Sequence, residues 1–349
     1  MKRASWGVCA IVFLTSILWV RSASAWSGTL GWTYNAESPI TSSIAAVDGL
    51  ILAGDSSGAL HAVYAASGRP AWVYRGSTAV VGLPSVLDKA VVFAQSDGTV
   101  TALNLADGTV IWKYSPSSDG YGADSLVDGT TAGDGRVYFV KGDGVLYAIS
   151  ASDGGELWRY TGEELQSAPF FSDGSVYVGG HNGVLSVLSS ASGKRQWGGG
   201  AGGAINTPVT SGENAYFSSW DGSIQAVRIK GVIPLWNTKV GDPVTTSPFV
   251  GEGRVLAGTA RGKVVSLSAE NGGLQWTFDT EGGTVSGAPV LADGYVFAGG
   301  GQGTLFVLSA ADGTARFTFS TGGGINGTPA FSGGVLFLGS ADGNLYAIR

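Results

Sequence analysis

Few side chains in this sequence are suited to acid–base or metal chemistry, and they lie far apart along the chain. The 349 residues include two histidines, His61 and His181. His61 falls within an apolar run, so we expect it to be packed. His181 follows a glycine pair in a turn, where it could face solvent. A lone histidine does not make a metal site, because zinc needs about three or four protein ligands together.

The carboxylates show no catalytic pattern either. Glu163 and Glu164 are adjacent, whereas a general acid and base must face each other across a substrate. We therefore interpret the pair as a solvated edge. Asp119, Asp124 and Asp128 could offer oxygens to calcium, but their spacing is not that of a known calcium loop. The sequence thus predicts no catalytic residue and no metal site.

A glycine run, Gly198–Gly203, invites comparison with a phosphate-binding loop. It lacks the Gly-Lys-Ser/Thr ending, and no helical pattern follows it. We predict a flexible loop between repeats instead.

These residues lie within a repeat that dominates the sequence. In one copy Gly98, Ala102, Gly108 and Trp112 mark a frame in which the tryptophan comes fourteen residues after the first glycine. The other copies end at Trp72, Trp158, Trp197, Trp236, Trp276 and Phe317. A period of about 40 residues indicates a repeat architecture.

Each copy has the pattern of four short strands. Pairs such as Asp173-Gly174 and Asn182-Gly183 are strong hairpin signals, because glycine accepts a positive φ. Strands such as Val145–Ile149 are apolar on both sides, which is typical of a sheet covered on both faces. Sheets packed face to face around an axis form a β-propeller.

The two ends of the chain complete one repeat between them. An eighth frame begins at Gly343 but stops at Arg349 without a tryptophan, and Trp32 lacks a preceding frame. We therefore predict an all-β, eight-bladed β-propeller of four-stranded blades, closed by the N-terminal strand. Prolines recur before the first turn of most repeats, where they would enter the innermost strands: Pro84, Pro169, Pro208, Pro248, Pro289 and Pro329.

The first 25 residues have the features of a secretory signal peptide. A basic start precedes an apolar run from Val8 to Val20, which ends in Ala23-Ser24-Ala25. The run is shorter than the roughly 20 residues that span a bilayer. We expect residues 26–349 to form the exported propeller, periplasmic or extracellular, with no transmembrane span. Without the leader the balance is 17 basic against 26 acidic residues, or −9, which disfavours nucleic acid and anionic lipid surfaces.

The segments Ala102–Trp112 and Ala148–Trp158 resemble the tryptophan-docking repeat of pyrroloquinoline-quinone (PQQ) type β-propellers, and the resemblance covers nearly the whole mature chain. In that family each tryptophan stacks on a glycine-containing turn of a neighbouring blade. The resemblance implies structural docking roles for Trp32, Trp72, Trp112, Trp158, Trp197, Trp236, Trp276 and Phe317. In two repeats a docking residue is replaced: Val232 stands in place of the glycine, and Phe317 stands in place of the tryptophan. These replacements imply weaker contacts between the neighbouring blades, and we call such a blade-to-blade contact a seam.

Two branches of this family differ in function. Quinoprotein dehydrogenases are longer, carry PQQ with calcium, and commonly have a pair of adjacent cysteines. This sequence contains one cysteine, Cys9, and so cannot form such a pair. The shorter branch is similar in length and includes BamB-like lipoprotein scaffolds of outer-membrane assembly, although this chain lacks the lipid-attachment cysteine. The resemblance implies a non-enzymatic, monomeric scaffold without a cofactor. A quinoprotein oxidoreductase or small-ligand-binding propeller stays as the alternative.

One position points to a binding surface. The position two residues before the first glycine of each frame is mostly occupied by small residues, but in one repeat it is occupied by Trp220. Local packing would explain this tryptophan, and so would an exposed anchor, since Trp and Arg are enriched in binding surfaces. We predict a face for an envelope protein partner, formed by Trp220, Asp221, His181, Arg261 and, from the insertion at 115–124, Tyr121.

Overall fold

All regular structure in the described part of the chain is β-strand. A computed structural model describes residues 26–115, 129–162, 164–230 and 233–349. The predicted leader and Tyr121 lie outside these residues. In chain order the strands are β1 (Leu30–Asn35), β2 (Ala45–Val47), β3 (Leu50–Gly54), β4 (Ala59–Tyr64), β5 (Pro70–Arg75), β6 (Val80–Leu87), β7 (Ala90–Gln95), β8 (Val100–Asn104), β9 (Val110–Tyr114), β10 (Thr131–Gly133), β11 (Arg136–Val140), β12 (Val145–Ser150), β13 (Glu156–Thr161), β14 (Phe170–Ser172), β15 (Ser175–Gly179), β16 (Val184–Ser189), β17 (Arg195–Gly200), β18 (Val209–Ser211), β19 (Asn214–Ser218), β20 (Ser223–Arg228), β21 (Ile233–Lys239), β22 (Phe249–Gly251), β23 (Arg254–Gly258), β24 (Lys263–Ser268), β25 (Leu274–Asp279), β26 (Val290–Ala292), β27 (Tyr295–Gly299), β28 (Thr304–Ser309), β29 (Ala315–Ser320), β30 (Ala330–Ser332), β31 (Val335–Gly339) and β32 (Asn344–Ile348).

The strands form eight antiparallel sheets of four, which are the blades of a β-propeller. Blades 1 to 7 each take four consecutive strands, from β2–β5 to β26–β29. Blade 8 has the order β1-β32-β31-β30, so the N-terminal strand is its outermost strand. Trp32 lies opposite Ala347 in that pairing. The predicted fold class and ring closure are confirmed.

Tight hairpins join the first two strands of most blades. In blade 4, Asp173 and Gly174 have φ values of 47° and 71°, the left-handed conformation at both central positions that a type I′ turn requires. Equivalent aspartate–glycine pairs occupy this turn in blades 1, 3 and 7. The sequence signal for hairpins therefore has the expected backbone basis.

The core consists of the apolar layers between neighbouring blades. All five residues of β3 are buried, as are four of the five in β11. Both faces of these middle strands are covered, which explains why they lack an alternating pattern. The outermost strands are more exposed: β13 has no fully buried residue, and in β9 only Trp112 is buried.

Tryptophans link consecutive blades. Trp112 is 7% exposed, and its indole lies against Gly154, where an added methyl group would come within 2.9 Å of Cε3. The indole nitrogen donates a hydrogen bond to the carbonyl oxygen of Ala151 at 2.8 Å. The same two contacts recur for Trp32 with Gly68, Trp72 with Gly108, Trp158 with Gly193, Trp236 with Gly272 and Trp276 with Gly313.

Phe317 and Trp197 depart from this arrangement. Phe317 lies against Gly28, and Trp26 packs edge-on to it with ring centroids 5.8 Å apart. Trp197 borders a cavity of about 220 Å³ between blades 4 and 5. Its indole nitrogen has no hydrogen bond to the residues that the structure describes. Val232, the predicted weak point of this seam, lies outside them.

Two local predictions were wrong. Gly198–Gly200 belong to β17 rather than to a loop, because the strand ladder needs only backbone groups and Gly198 pairs with Ser186 of β16. Pro84 lies inside β6 rather than before it, at a register shift between Val81 and Ser85. A proline is tolerated there because the shift relieves its nitrogen from pairing.

Candidate upper-face binding surface

The turn between the second and third strands lies on the same ring face as the loops that enter each blade. We call this side of the ring the upper face. In blades 4 to 6 the upper face includes the turns at 180–183, 219–222 and 259–262. The backbone nitrogen of Trp220 donates to the carbonyl of Ala204 in the preceding loop at 3.0 Å. His181 makes the same bond to Glu164 at 2.8 Å. The structure thus brings His181, Trp220 and Arg261 to one face of three consecutive blades.

Trp220 is the most exposed aromatic ring near these turns. Its side chain is 53% exposed, and its indole forms no hydrogen bond with any described residue. The backbone beneath it is held closely, since a methyl group at Gly203 would lie 3.1 Å from Cβ of Asp221. A fixed backbone therefore presents a half-exposed indole whose nitrogen has no hydrogen-bond partner in the described chain.

Asp221, next to Trp220, is fixed by an ion pair within blade 5. Its Oδ2 lies 2.7 Å from Nζ of Lys239, and its Oδ1 accepts a hydrogen bond from the hydroxyl of Ser223 at 2.6 Å. Partial burial alone would raise the pKa of Asp221, but the hydrogen bonds from Lys239 and Ser223 outweigh it and hold this pKa well below its usual range. Asp221 is therefore ionised at neutral pH and serves to anchor the turn.

Asp242 joins the turns of blades 5 and 6. It is 3% exposed, with Oδ2 2.7 Å from Nζ of Lys263 and Oδ1 3.3 Å from Nη1 of Arg261. Its carbonyl oxygen would lie 2.9 Å from a methyl group at Gly222. The hydrogen bond from Lys263 lowers the pKa of Asp242, in opposition to desolvation. One buried carboxylate thus holds two cations beside the turn of Trp220.

The two histidines have the surroundings that their sequence positions suggested. His181 is exposed, and its Nδ1 lies 2.8 Å from Oε1 of Gln166. His61 is 3% exposed, with Nε2 3.0 Å from Oδ2 of Asp55 and Nδ1 3.0 Å from the hydroxyl of Tyr34. This buried chain joins blade 8 to blade 1, and burial raises the pKa of Tyr34.

Of the other candidate carboxylates, only Glu164 lies within the described residues. Glu164 lies in the loop before blade 4 with a φ of 47°, whereas Glu163, Asp119, Asp124 and Asp128 lie outside the described residues. Within the described ranges no group of three or more histidine, cysteine, aspartate or glutamate side chains could hold a metal ion. The same residues include no helix that could cross a bilayer.

Sequence reasoning missed the charged residues that support Trp220. Lys239 lies 18 residues from Asp221, and Asp242 lies 19 from Arg261, so no local motif connects them. The repeat frame offered one signal, because Lys239 and Asp221 occupy fixed places relative to Trp236 and Gly222.

A family comparison supports the class of the fold. The model described as "Outer membrane protein assembly factor BamB" matches residues 18–231, 121–259, 201–286 and 260–349. The chain therefore belongs to this BamB family of PQQ-type β-propellers. Curated protein sequences gave no match.

Solved structures share the fold at low sequence identity. BamB from Moraxella catarrhalis is 17% identical with a TM-score of 0.80, covering 92% of this chain and 99% of its own. The computationally designed Ika8 protein is 18% identical with a TM-score of 0.78, covering 90% and 97%. Quinohemoprotein alcohol dehydrogenase from Comamonas testosteroni is 14% identical with a TM-score of 0.74, covering 91% and 76%. At these identities the likeness is one of fold alone.

Proposed function

We propose that this protein is an exported, non-enzymatic scaffold that binds a component of outer-membrane protein assembly through the upper face of blades 4 to 6. The observation that carries the proposal is the exposed indole of Trp220 on a turn that is flanked by ordered ion pairs, Asp221–Lys239 in the same turn and Asp242–Arg261–Lys263 beside it. The family description supports the kind of partner.

The chemistry of this surface suits a protein partner. Tryptophan and arginine dominate the binding energy of many interfaces when a partner covers them. Arg261 is 76% exposed in its side chain although it is tied to Asp242, so its guanidinium can still donate to an incoming acceptor. Because hydrogen bonds fix the turns that carry these side chains, little backbone entropy is lost when a partner binds.

Export is the second part of the proposal. The signal-like residues 1–25 support it, and so does membership of a family described by outer-membrane assembly. A periplasmic location would bring the propeller to the partners that the family name implies. Fractionation of cells with a C-terminal tag tests this: the proposal requires a shorter, processed chain in the periplasmic fraction.

The test of binding compares two exposed apolar side chains. Tagged protein carrying Trp220→Ala or Leu274→Ala is crosslinked in intact cells and recovered, and its partners are identified by mass spectrometry. Leu274, 60% exposed on an outermost strand, is the matched control. We expect Trp220→Ala to lose most of the assembly component that the parent captures, with an unchanged melting temperature, and Leu274→Ala to retain it.

Two outcomes contradict the proposal. A large loss of stability in Trp220→Ala would make this indole a packing residue. Equal capture by both variants would remove the upper face of blades 4 to 6 from the interface. The similarity to quinohemoprotein alcohol dehydrogenase is a similarity of fold, and we propose no redox role from it.

A further inference from the structure

A polar cavity of about 400 Å³ opens between the outer parts of blades 1 and 2. It lies away from the surface of blades 4 to 6 and plays no part in the proposed partner binding. Its polar lining comes from Arg75, Ser77, Gln95, Thr99, Lys113 and Ser115. Two cations and three hydroxyl groups therefore border one cavity.

Arg75 lacks the acidic partner that its counterpart has in blade 5. Arg75 and Lys239 each lie three residues after a docking tryptophan and face the first residue of the preceding strand in the same register. Lys239 pairs with Asp221 at 2.7 Å. Ser57 occupies the place of Asp221 in blade 1, and Arg75 forms no ion pair with any residue of the described chain.

Lys113 lacks its partner for a similar reason. Lys113 and Arg159 each follow a docking tryptophan directly, and Arg159 pairs with Glu156 at 2.8 Å. Val110 occupies the place of Glu156 in blade 2. Lys113 has no carboxylate within ion-pair distance among the described residues. Its Nζ lies 5.3 Å from the ring centre of Tyr74 instead, so it leans toward the strand of Arg75.

The rest of the lining is built closely around these cations. Gln95 is 2% exposed, and its Nε2 donates a hydrogen bond to the carbonyl of Thr78 at 3.0 Å. A methyl group at Gly76 would lie 2.7 Å from the carbonyl oxygen of Gly58, so only glycine at position 76 lets the segment after β5 pack this closely against the turn at Gly58. The cavity therefore has a defined wall and two positive charges that form no ion pair among the residues that the structure describes.

We propose that this cavity binds the phosphate group of an anionic ligand. Arginine and lysine beside each other favour an oxyanion, because charge-assisted hydrogen bonds are about twice as strong as neutral ones. A guanidinium fork suits the paired oxygens of a phosphate, and the hydroxyls of Ser77, Thr99 and Ser115 offer further donors. The cavity exceeds the volume of a phosphate ion, which leaves room for a substituent. A small phosphate ester and a phospholipid headgroup share this chemistry.

The test is calorimetric titration of the mature chain with glycerol 1-phosphate at low salt. We expect binding in the parent and at least about a tenfold weaker affinity in the double variant Arg75→Gln/Lys113→Gln, since two charge-assisted contacts are lost. The control is Lys89→Gln/Lys194→Gln, which removes two exposed positive charges that do not line the cavity. We expect it to keep the parent affinity, and near-identical circular dichroism spectra verify that both variants fold.

The source of the phosphate is distinguished by co-sedimentation with phosphatidylcholine vesicles, with and without phosphatidylglycerol. Sedimentation that needs phosphatidylglycerol and the two cations indicates a lipid headgroup, whereas titration without sedimentation indicates a soluble phosphate ester. The proposal is overturned if the parent shows no binding at about 10 mM ligand, or if the control variant weakens as much as the double variant.

Discussion

Replacement of Trp112 by alanine tests how the blades are held together. The indole is 7% exposed, lies against Gly154 and donates a hydrogen bond to Ala151. A buried tryptophan covers about 150–250 Å², which at about 25 cal/mol per Å² corresponds to about 4–6 kcal/mol. Partial collapse of the cavity reduces this, and the usual cost of such a change is about 3–5 kcal/mol.

Trp197 supplies the matched control for Trp112. It has the same place in its repeat, but it borders a cavity of about 220 Å³ and its indole has no hydrogen bond to the described residues. Among the described residues no carbonyl loses a donor when this indole is truncated, and the cavity already leaves part of the ring without neighbours. We therefore expect Trp197→Ala to cost about 1–2 kcal/mol, at the lower end for large-to-small changes.

The assay is equilibrium unfolding in urea, followed by circular dichroism, for the parent and both variants. An unchanged slope with a lower midpoint reports a change in stability. A loss below about 1 kcal/mol for Trp112→Ala, or equal losses for the two variants, would refute the docking role. Gly154→Ala offers a check from the other side of the contact: its φ of +75° and the nearby indole make any side chain unfavourable there.

Two further predictions concern the seam between blades 4 and 5. Burial raises the pKa of Tyr177 to about 12 from 10.0, so the contribution of the neutral phenol to folding stability is present below pH 10 and is lost as pH rises toward 12. Tyr177→Phe cannot ionise and should therefore lose on the order of 2 kcal/mol less stability than the parent over this range. An unchanged pH profile of unfolding would contradict this. Ala215→Val adds two methyl groups beside the cavity within β19, and should raise stability by about 0.5–1.5 kcal/mol; a lower urea midpoint would mean that the cavity cannot accept them.

The fold was predictable because the repeat is local. The spacing from Gly98 to Trp112 contains one hairpin and one docking residue, and both act within a single blade or on the next one. The pairing of the two chain ends in one blade was predictable from the same frame, because Trp32 supplies the tryptophan that the frame at Gly343 lacks. Hydrogen bonds and burial then confirm a ring closed by β1.

The candidate site was less predictable because its contacts are not local. Trp220 was visible as a bulky residue at a position with small ones, but its exposure depends on the loop at 201–204. The pairing of Asp242 with both Arg261 and Lys263 depends on the distance between two blades. Trp26 beside Phe317 was likewise hidden, because the segment before β1 belongs to no repeat.

We propose that the upper face around Trp220 contacts a component of outer-membrane assembly in the cell. The most direct measurement places a photo-crosslinking amino acid at position 220 and, in a second strain, at position 274, and irradiates intact cells. We expect an adduct from position 220 that mass spectrometry identifies as such a component, and none from position 274. No adduct at 220, or the same adduct from both positions, would contradict it.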